Sequence, residues 1–426
     1  MKPTSLSIRS YDVGFGDCFL LTFHYPNRDR HVLIDFGSME TPTGKIVNGK
    51  PITSGYLKAI ANEIAKDCGG TLDIVVATHR HQDHISGFTR SKGKGPGEII
   101  RNLKPKFVIQ PWTEDPDAAE DATEPTKSLH VRTLAEMQSV AAYAASVAKT
   151  LRGERFANLR KQLDGIGMDN IKNPDAVENL QTMAPNKFVY HKCPLKLGRL
   201  LPDVTVTVLG PPTVKQTDTI LKQRREDKDE FWHLNGIYWR RLAATTSFAI
   251  KNGGVLFSEQ ATKVLPRSAG WFKYTVQKER AESTLSIVRS LDKAMNNTSV
   301  ILLFQVNGKS ILFPGDAQYE NWMYALEQKD IMKQLAAVDL YKVGHHGSLN
   351  ATPKTLWNNF AQKGGTQKKD RLQTLLSTKP GVHGSVENKS EVPRKVLVDE
   401  MLVFSDLMDT STFKCDELSR LTSIAL

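Results

Sequence analysis

The sequence predicts an α/β fold in which two strand-rich halves form one sandwich that carries inserted helices. Three observations support this class. Short β-rich runs fill the first third of the chain, a helical pattern lies between two of them, and strand patterns return from residue 297. We expect a single domain over 1–426. Its first half covers about 1–113, a helical insertion about 114–185, a second insertion about 211–294 and the second half about 295–426.

The first half alternates strands with one helix. The runs "SLSIRSYDVG", "CFLLTFHY" and "HVLIDFG" predict strands, because β-forming residues are punctuated there by glycine and aspartate. The segment "YLKAIANEIAKDCGG" predicts a helix that ends on glycines suited to a C-cap. "LDIVVATH" is apolar on both faces, which is typical of a buried strand.

The remaining elements fall in the insertions and the second half. Alanine and leucine at helical spacing predict one or two helices in 129–165, ending at Gly165 or Gly167. The mixed charge of 214–241 favours a solvated helix over a binding surface. Strands return in 186–210, and "TSVILLFQVNGKSILFPGD" predicts a hairpin around "NG". We then expect one helix in "NWMYALEQKDIMKQLAA", strands in "VDLYKVG" and "LQTLLST", and a helix in "VPRKVLVDEM".

Composition limits the class of protein. The net charge of +11 favours anionic partners. The chain has no apolar run of the ~18 residues that span a membrane and no signal-peptide pattern, so we expect no membrane association. The cysteines, four in number, are widely spaced and form no CxxC pair, which argues against a disulfide framework and a cysteine zinc site. A reducing, cytoplasmic location is expected.

The segment "THRHQDHISG" places three histidines and one aspartate within six positions, directly after a predicted buried strand. In an extended chain His79 and His81 project to the same side, so they can bind one metal ion. Asp83 and His84 lie past the turn and suit a second ion. Histidine and carboxylate ligands without thiolate favour divalent zinc, manganese or iron, and two such ions can activate a water molecule.

Two later segments add similar residues at strand ends. "SILFPGDA" ends a strand on Asp316, and "LYKVGHHGS" ends another on His345 and His346. Each segment alone is weak evidence, because an aspartate after a strand is usually a turn residue or a helix cap. Together with the first motif they supply a bridging carboxylate and a further imidazole.

These motifs resemble a known family. "HRHQDH" matches the HxHxDH signature of the metallo-β-lactamase superfamily. "DVGFGDC", "LIDFG", "NNTSVILLFQVNGKSILFPGDA" and "LYKVGHHGS" resemble one branch, the hydrolase domain of the bacterial DNA-uptake competence channel and its soluble relatives. The resemblance covers roughly 1–113 and 295–400. It implies an αββα sandwich with metal ions at one edge between the two sheets.

The resemblance also implies residue roles. The implied metal ligands are His79 and His81 for the first ion, Asp83, His84 and His346 for the second, and Asp316 as the bridge between them. His345 is left to hydrogen-bond the substrate, and Asp83 can accept a proton from the activated water. Asp35, with Asp17 as a further candidate, would support the ligands.

One position departs from the superfamily pattern. Many members carry a third histidine for the first ion before the "SVILL"-type strand, where this chain has Asn296 and Asn297. That ion is then held less tightly, or by asparagine or water. His130, His191 and His233 lie in the insertions and are expected to be ordinary surface or core histidines.

We therefore expect a metal-dependent hydrolase with two divalent ions, zinc or manganese. The leading hypothesis is a phosphodiesterase or nuclease that acts on nucleic acid. The segment 86–106 carries Arg90, Lys92, Lys94, Arg101, Lys104 and Lys106 against Glu98, and predicts a glycine-rich basic loop at the mouth of the site or an ordinary solvated loop.

Two alternatives stay open. One is hydrolysis of a small phosphoester, cyclic nucleotide, phosphocholine-type ester, lactone or thioester. The other is an effector subunit that a protein partner activates through the inserted helices of 126–164 and the block 214–241.

Overall fold

The computed structural model describes most of the chain outside the two predicted insertions. The described residues are 2–47, 49–115, 122–124, 127–128, 147–149, 151–160, 163, 174–213, 215–217, 278, 282, 296–348, 350–383 and 391–426. The predicted helices of 129–165 and 214–241 therefore lie largely outside the described residues.

Seventeen strands are present in this part of the chain. In chain order they are β1 (Ser5–Tyr11), β2 (Cys18–His24), β3 (Arg30–Phe36), β4 (Ile46–Val47), β5 (Lys50–Pro51), β6 (Ile74–Val76), β7 (Phe107–Pro111), β8 (Ala122–Glu124), β9 (Lys127–Ser128), β10 (Asn186–Val189), β11 (Thr205–Gly210), β12 (Ile301–Val306), β13 (Lys309–Phe313), β14 (Leu340–Lys342), β15 (Gln373–Leu376), β16 (Asp406–Asp409) and β17 (Ser419–Ala425). The α-helices are α1 (Tyr56–Asp67), α2 (Gln82–Ile85), α3 (Pro96–Asn102), α4 (Pro174–Thr182), α5 (Tyr319–Leu326), α6 (Lys329–Ala336), α7 (Lys354–Asn359) and α8 (Lys395–Phe404).

Thirteen of these strands form two mixed sheets. The first sheet has seven strands in the order β10-β7-β6-β3-β2-β1-β17, and the second has six in the order β11-β12-β13-β14-β15-β16. In the first sheet β3, β6, β7 and β10 are parallel, and in the second β13 to β16 are parallel. The other neighbours pair antiparallel.

Three hydrophobic cores separate four layers. The central core lies between the inner faces of the two sheets, where Phe19 packs against Phe313 with ring centroids 5.5 Å apart. A second core joins the outer face of the first sheet to α1, α3 and α4. A third joins the outer face of the second sheet to helices α5 to α8. The protein is an αββα sandwich, so the predicted fold class is confirmed.

The topology places the chemistry-bearing motifs at one edge. The "HRHQDH" segment follows β6, Asp316 follows β13, and the two histidines of "HHGS" follow β14. Parallel strands end at the same edge of their sheet, and contacts between these segments show that both sheets meet there.

One expectation about the elements was wrong, and two strands were not predicted. The single helix expected in "NWMYALEQKDIMKQLAA" is two helices, α5 and α6. The break comes at Gln328, whose backbone is extended and whose side chain donates to the carbonyl of Tyr324. The C-terminal strands β16 and β17 have no counterpart in the prediction, although β17 pairs with β1 over all seven residues. Among the described helices, none is both long enough and apolar enough to cross a bilayer.

Candidate metal centre

Four predicted ligands form a buried cluster between the sheets. One ligand atom from each of Asp83, His84, Asp316 and His346 lies within 4.8 Å of the others. Nε2 of His84 is 3.0 Å from Oδ2 of Asp316, and Nε2 of His346 is 3.0 Å from Oδ2 of Asp83. Nitrogen and oxygen donors thus converge on one point, as a metal ion requires.

The other two predicted ligands lie beside this cluster. Nε2 of His79 and Nδ1 of His81 are 3.0 Å apart, and both side chains are buried. The His79 ring packs at a tilt of 51° against that of His84, with centroids 4.1 Å apart. The structure thus brings all six predicted ligands together, as a four-residue cluster and a histidine pair.

Two hydrogen bonds orient the imidazoles of the cluster. Nδ1 of His84 is 2.8 Å from Oδ2 of Asp35, and Nδ1 of His346 is 2.9 Å from the carbonyl oxygen of Ser377. An acceptor at Nδ1 holds one ring proton there, so Nε2 is the nitrogen that offers its lone pair when the ring is neutral. Asp35 also accepts from the backbone and hydroxyl of Thr78, both at 2.7 Å, so it anchors the strand end before His79.

A strained turn directs the side chains of the two adjacent histidines into different surroundings. His345 and His346 both have left-handed backbone angles, with φ of 46° and 51°, which non-glycine residues rarely adopt. The turn is held by the amide of His345, which donates to Oδ1 of Asp316 at 3.1 Å. The side chain of His346 is fully buried in the cluster, whereas that of His345 is 28% exposed.

Two glycine-containing loops support the backbone of Asp83. A Cβ atom at Gly16 would lie 2.7 Å from the Asp83 carbonyl oxygen, and one at Gly37 would lie 2.5 Å from the Asp83 carbonyl carbon. The amide of Asp17 donates to that same carbonyl oxygen at 2.9 Å. The "GFGD" and "DFG" motifs therefore allow a close approach that fixes the start of α2.

Sequence reasoning did not identify Lys342, a buried lysine beneath the cluster. It lies on β14, its ammonium forms an ion pair with Asp17, and it is 3.6 Å from Oδ1 of Asp316. Burial lowers the pKa of Lys342, but the carboxylates of Asp17 and Asp316 raise this pKa by more. The net shift is upward, so the ammonium stays charged. The available signal was a lysine inside the otherwise apolar "DLYKVG".

The charges around the cluster favour bound cations. Burial lowers the pKa of His84, but nearby carboxylates, Asp316 foremost, raise it well above its usual value. Burial raises the pKa of Asp316, but imidazoles, His84 foremost, hold it well below its usual range. At His79, burial and the neighbouring imidazoles lower the pKa, which keeps this ring neutral as metal binding requires.

The residues fit divalent metal ions. The donors are imidazole nitrogens and carboxylate oxygens with no thiolate, and the rings of His84 and His346 present Nε2 to the cluster. This set suits borderline or hard ions such as zinc or manganese. The protein therefore has a buried His/Asp cluster that is compatible with metal binding.

Asn296 and Asn297, the residues that depart from the pattern of the resembled family, lie close to this edge. The amide of Val300 donates to the carbonyl of Thr78 at 2.9 Å, so the preceding segment lies beside the residue before His79. Asn296 and Asn297 are buried, and neither side-chain oxygen has a hydrogen-bond partner among the described residues. Buried unpaired acceptors are usually satisfied by water or an ion.

Of the three histidines expected to be ordinary, His191 is described. It is buried, its Nδ1 is 2.7 Å from the carbonyl of Leu209, and its Nε2 accepts from Gln328 at 2.9 Å. A ring with both nitrogens satisfied is a structural core histidine. His130 and His233 lie outside the described residues.

The expectation of a basic loop over 86–106 is met for 89–95 alone, a stretch that carries Arg90, Lys92 and Lys94. Residues 96–102 form α3, and a short 3-10 turn covers Ser86–Phe88. Arg101 donates to Asn179 on α4, and Lys106 bonds Asp73 at 2.9 Å before the start of β7, at the opposite end of that strand from the site. Arg101 and Lys106 therefore stabilise the outer helical layer and the far edge, whereas Lys92 and Lys94 are exposed.

Comparisons with known proteins add little to this description. No family model matches the chain, and no curated protein matches it. The chain is similar to the solved structure of the metallo-β-lactamase fold protein YhfI from Bacillus subtilis, at 11% identity, over 98% of this chain and 99% of that one, with a TM-score of 0.37. So distant a likeness carries no argument about activity, and the fold assignment rests on the two sheets and their three cores.

Proposed function

We propose that the protein is a metal-dependent hydrolase that cleaves phosphodiester bonds, with nucleic acid as the leading substrate. The observation that carries the proposal is the juxtaposition of the His79–His81 pair with the buried cluster of Asp83, His84, Asp316 and His346. Two adjacent groups of donors suit two divalent ions, zinc or manganese.

The balance of buried charge supports two ions and an anionic substrate. The ion pair between Asp17 and Lys342 cancels internally. Asp35, Asp83 and Asp316 remain as buried carboxylates. If the imidazoles are neutral, two divalent ions would bring four positive charges to a site with three negative carboxylates. About one positive charge would then remain to attract the substrate. A phosphodiester carries one negative charge.

The side chains have separate roles in this proposal. When bound, the ions would lower the pKa of water and neutralise charge that develops on the phosphoryl oxygens. His79 and His81 would hold one ion and the four-residue cluster the other. Oδ2 of Asp316 faces both His84 and His346. Asp83 would accept the proton of the attacking water. His345, partly exposed at the rim, donates a hydrogen bond to the substrate.

The choice of nucleic acid has two supports. One is the resemblance of five motifs to the hydrolase domain of the DNA-uptake competence channel. The other is the net charge of +11. The basic segment supports this choice less than its sequence suggests, since Arg101 and Lys106 contact the protein itself. A cytoplasmic location remains a prediction, with which the free thiols of the four cysteines agree.

The decisive experiment is hydrolysis by purified protein with added manganese or zinc. Substrates are single- and double-stranded DNA, RNA and an activated phosphodiester. We expect cleavage that a chelator stops and that His84→Ala abolishes. The control is His24→Ala, a partly exposed histidine on β2 that contacts Ser7 and Asp29. No hydrolysis with any metal, or equal rates in wild type and His84→Ala, would refute the proposal.

A small phosphoester is the second candidate, favoured because Arg101 and Lys106 of the basic segment contact the protein itself. A salt titration separates the two substrates, because binding through many phosphates weakens steeply with salt and binding of a small ester does not. Activation by a protein partner through 126–164 and 214–241 remains a prediction, since those segments lie largely outside the described residues.

A further inference from the structure

Arg80 lies between the two histidines of the first metal motif, and its side chain contacts Glu114. Nε of Arg80 donates to both carboxylate oxygens of Glu114 at 2.8 Å, and Nη2 also contacts Oε2. His79 and His81 meet each other instead, at 3.0 Å between ring nitrogens. The loop therefore alternates as an extended chain does, with two imidazoles on one side and the guanidinium on the other.

The two partners of this ion pair come from neighbouring strands. Arg80 follows β6, and Glu114 ends the short 3-10 turn Trp112–Glu114 that follows β7. The strands are parallel neighbours, and the amide of Ala77 extends their pairing by donating to the carbonyl of Ile109. The ion pair thus links the ends of two adjacent strands, and we call it the Arg80–Glu114 bracket.

Burial makes this bracket rigid. The side chain of Arg80 is 14% exposed and that of Glu114 is 5% exposed. A guanidinium and a carboxylate that share several hydrogen bonds have one favoured relative orientation. If one partner loses its charge, the other stays buried without compensation, so the loop between the histidines must rearrange.

We propose that Arg80 and Glu114 are positioning residues that set the separation and orientation of His79 and His81. This inference rests on the proposed function, in which the two histidines hold one of two metal ions. The four-residue cluster has its own supports, since Asp35 orients His84 and a backbone carbonyl orients His346. Loss of the bracket should therefore weaken one metal site and leave the other unchanged.

The test is stepwise binding of Zn²⁺ to metal-free protein, measured by competition with a chromophoric chelator. The absorption spectrum of the Co²⁺-loaded protein gives a second readout. Glu114→Gln keeps the shape of the side chain and removes its charge. We expect it to weaken one of two binding steps by about 10–100-fold, as loss of a residue that orients ligands typically does. Arg80→Lys keeps the positive charge but loses the planar guanidinium that donates several hydrogen bonds. This variant should weaken the same binding step by less.

The matched control is Glu417→Gln. Glu417 also accepts two hydrogen bonds from an arginine, Arg420, at 2.7 and 2.8 Å, but in the C-terminal segment. It should leave both binding steps unchanged. If Glu114→Gln does not fold by circular dichroism, Arg80→Lys decides alone. Unchanged binding, or equal weakening of both steps, overturns the bracket. A wild type that binds no metal overturns the proposed function itself.

Discussion

Nε2 of His346 lies 3.0 Å from Oδ2 of Asp83, although 263 residues separate them along the chain. Asp83 lies in α2, which follows β6 of the first sheet, and His346 follows β14 in the second. The candidate metal centre is therefore assembled only when the two sheets pack face to face. Neither half of the sequence contains the complete set of ligands.

This geometry predicts different effects for the two adjacent histidines. His346→Ala removes a buried imidazole from the cluster, so we expect loss of about one equivalent of bound metal and of activity. His345→Ala removes a side chain at the rim, so metal content should persist while the rate falls. Elemental analysis of both variants, beside their rates, measures the difference. Metal loss in the His345 variant alone would reverse these roles.

Much of the site was predictable because its ligands are local in sequence or end strands. "HRHQDH" places four ligands within six positions, and alternation along an extended chain puts His79 and His81 on the same side. Asp316 and His346 follow short apolar runs that read as strands. Their convergence needed the topology, which the resemblance to a known family implied and the structure shows.

The missed residues are those whose partners are distant in sequence. Lys342 contacts Asp17, and Arg80 contacts Glu114, and nothing in the local pattern reports either pairing. The C-terminal strand β17 was missed for a similar reason. Its sequence "SRLTSIA" has weak alternation, and its position is set by pairing with β1 at the other end of the chain.

Gly37→Ala tests whether the "DFG" loop positions the metal ligands. A Cβ atom there would lie 2.5 Å from the carbonyl carbon of Asp83 and 2.5 Å from the amide nitrogen of His84, so α2 must shift. We expect a loss of stability of about 1–3 kcal/mol, as for other overpacked sites, and a larger loss of metal affinity. Chemical denaturation and metal titration measure the two effects.

Gly198→Ala is the matched control for this variant. A Cβ atom at Gly198 meets nothing within 4 Å, and its φ lies outside the left-handed region. Stability and metal affinity should both stay close to wild type. Wild-type metal affinity in Gly37→Ala would show that the loop is not needed to position Asp83.

Lys45→Met tests how the C-terminal segment that contains Lys414 and Glu417 is attached to the rest of the protein. The buried ammonium of Lys45 lies 2.6 Å from Oδ2 of Asp12 and donates to the carbonyl oxygens of Lys414 and Glu417. Removal of one partner leaves a buried carboxylate uncompensated, which typically costs about 3–5 kcal/mol. Urea denaturation should show a loss of this order.

The control for Lys45 is Lys395→Met. Lys395 pairs with Asp399 at 2.7 Å on α8, but both side chains are largely exposed. Exposed pairs contribute about 0–1 kcal/mol, so this variant should unfold close to wild type. Equal losses in the two variants would show that Lys45 has no special role in holding the C-terminal segment.

Asp316→Asn should abolish metal binding at the cluster, for a reason that lies in one hydrogen bond. Oδ1 of Asp316 accepts from the backbone amide of His345 at 3.1 Å, so only Oδ2 faces His84 and His346. An asparagine must keep its single oxygen on the His345 amide, which turns its NH₂ group towards the cluster. Donor hydrogens there exclude a cation, and the negative charge is lost as well.

The control is Asp339→Asn. Asp339 also accepts from a backbone amide, that of Ser310 at 2.8 Å, but near the start of β14 rather than at its end. It should retain the metal content and rate of wild type. Asp316→Asn should lose at least one metal equivalent and most of its activity, while far-ultraviolet circular dichroism stays unchanged because the change is isosteric. If Asp316→Asn kept two equivalents of metal and near-normal turnover, Asp316 would be an ordinary turn residue, and the bridge between the two metal sites would have to be another group.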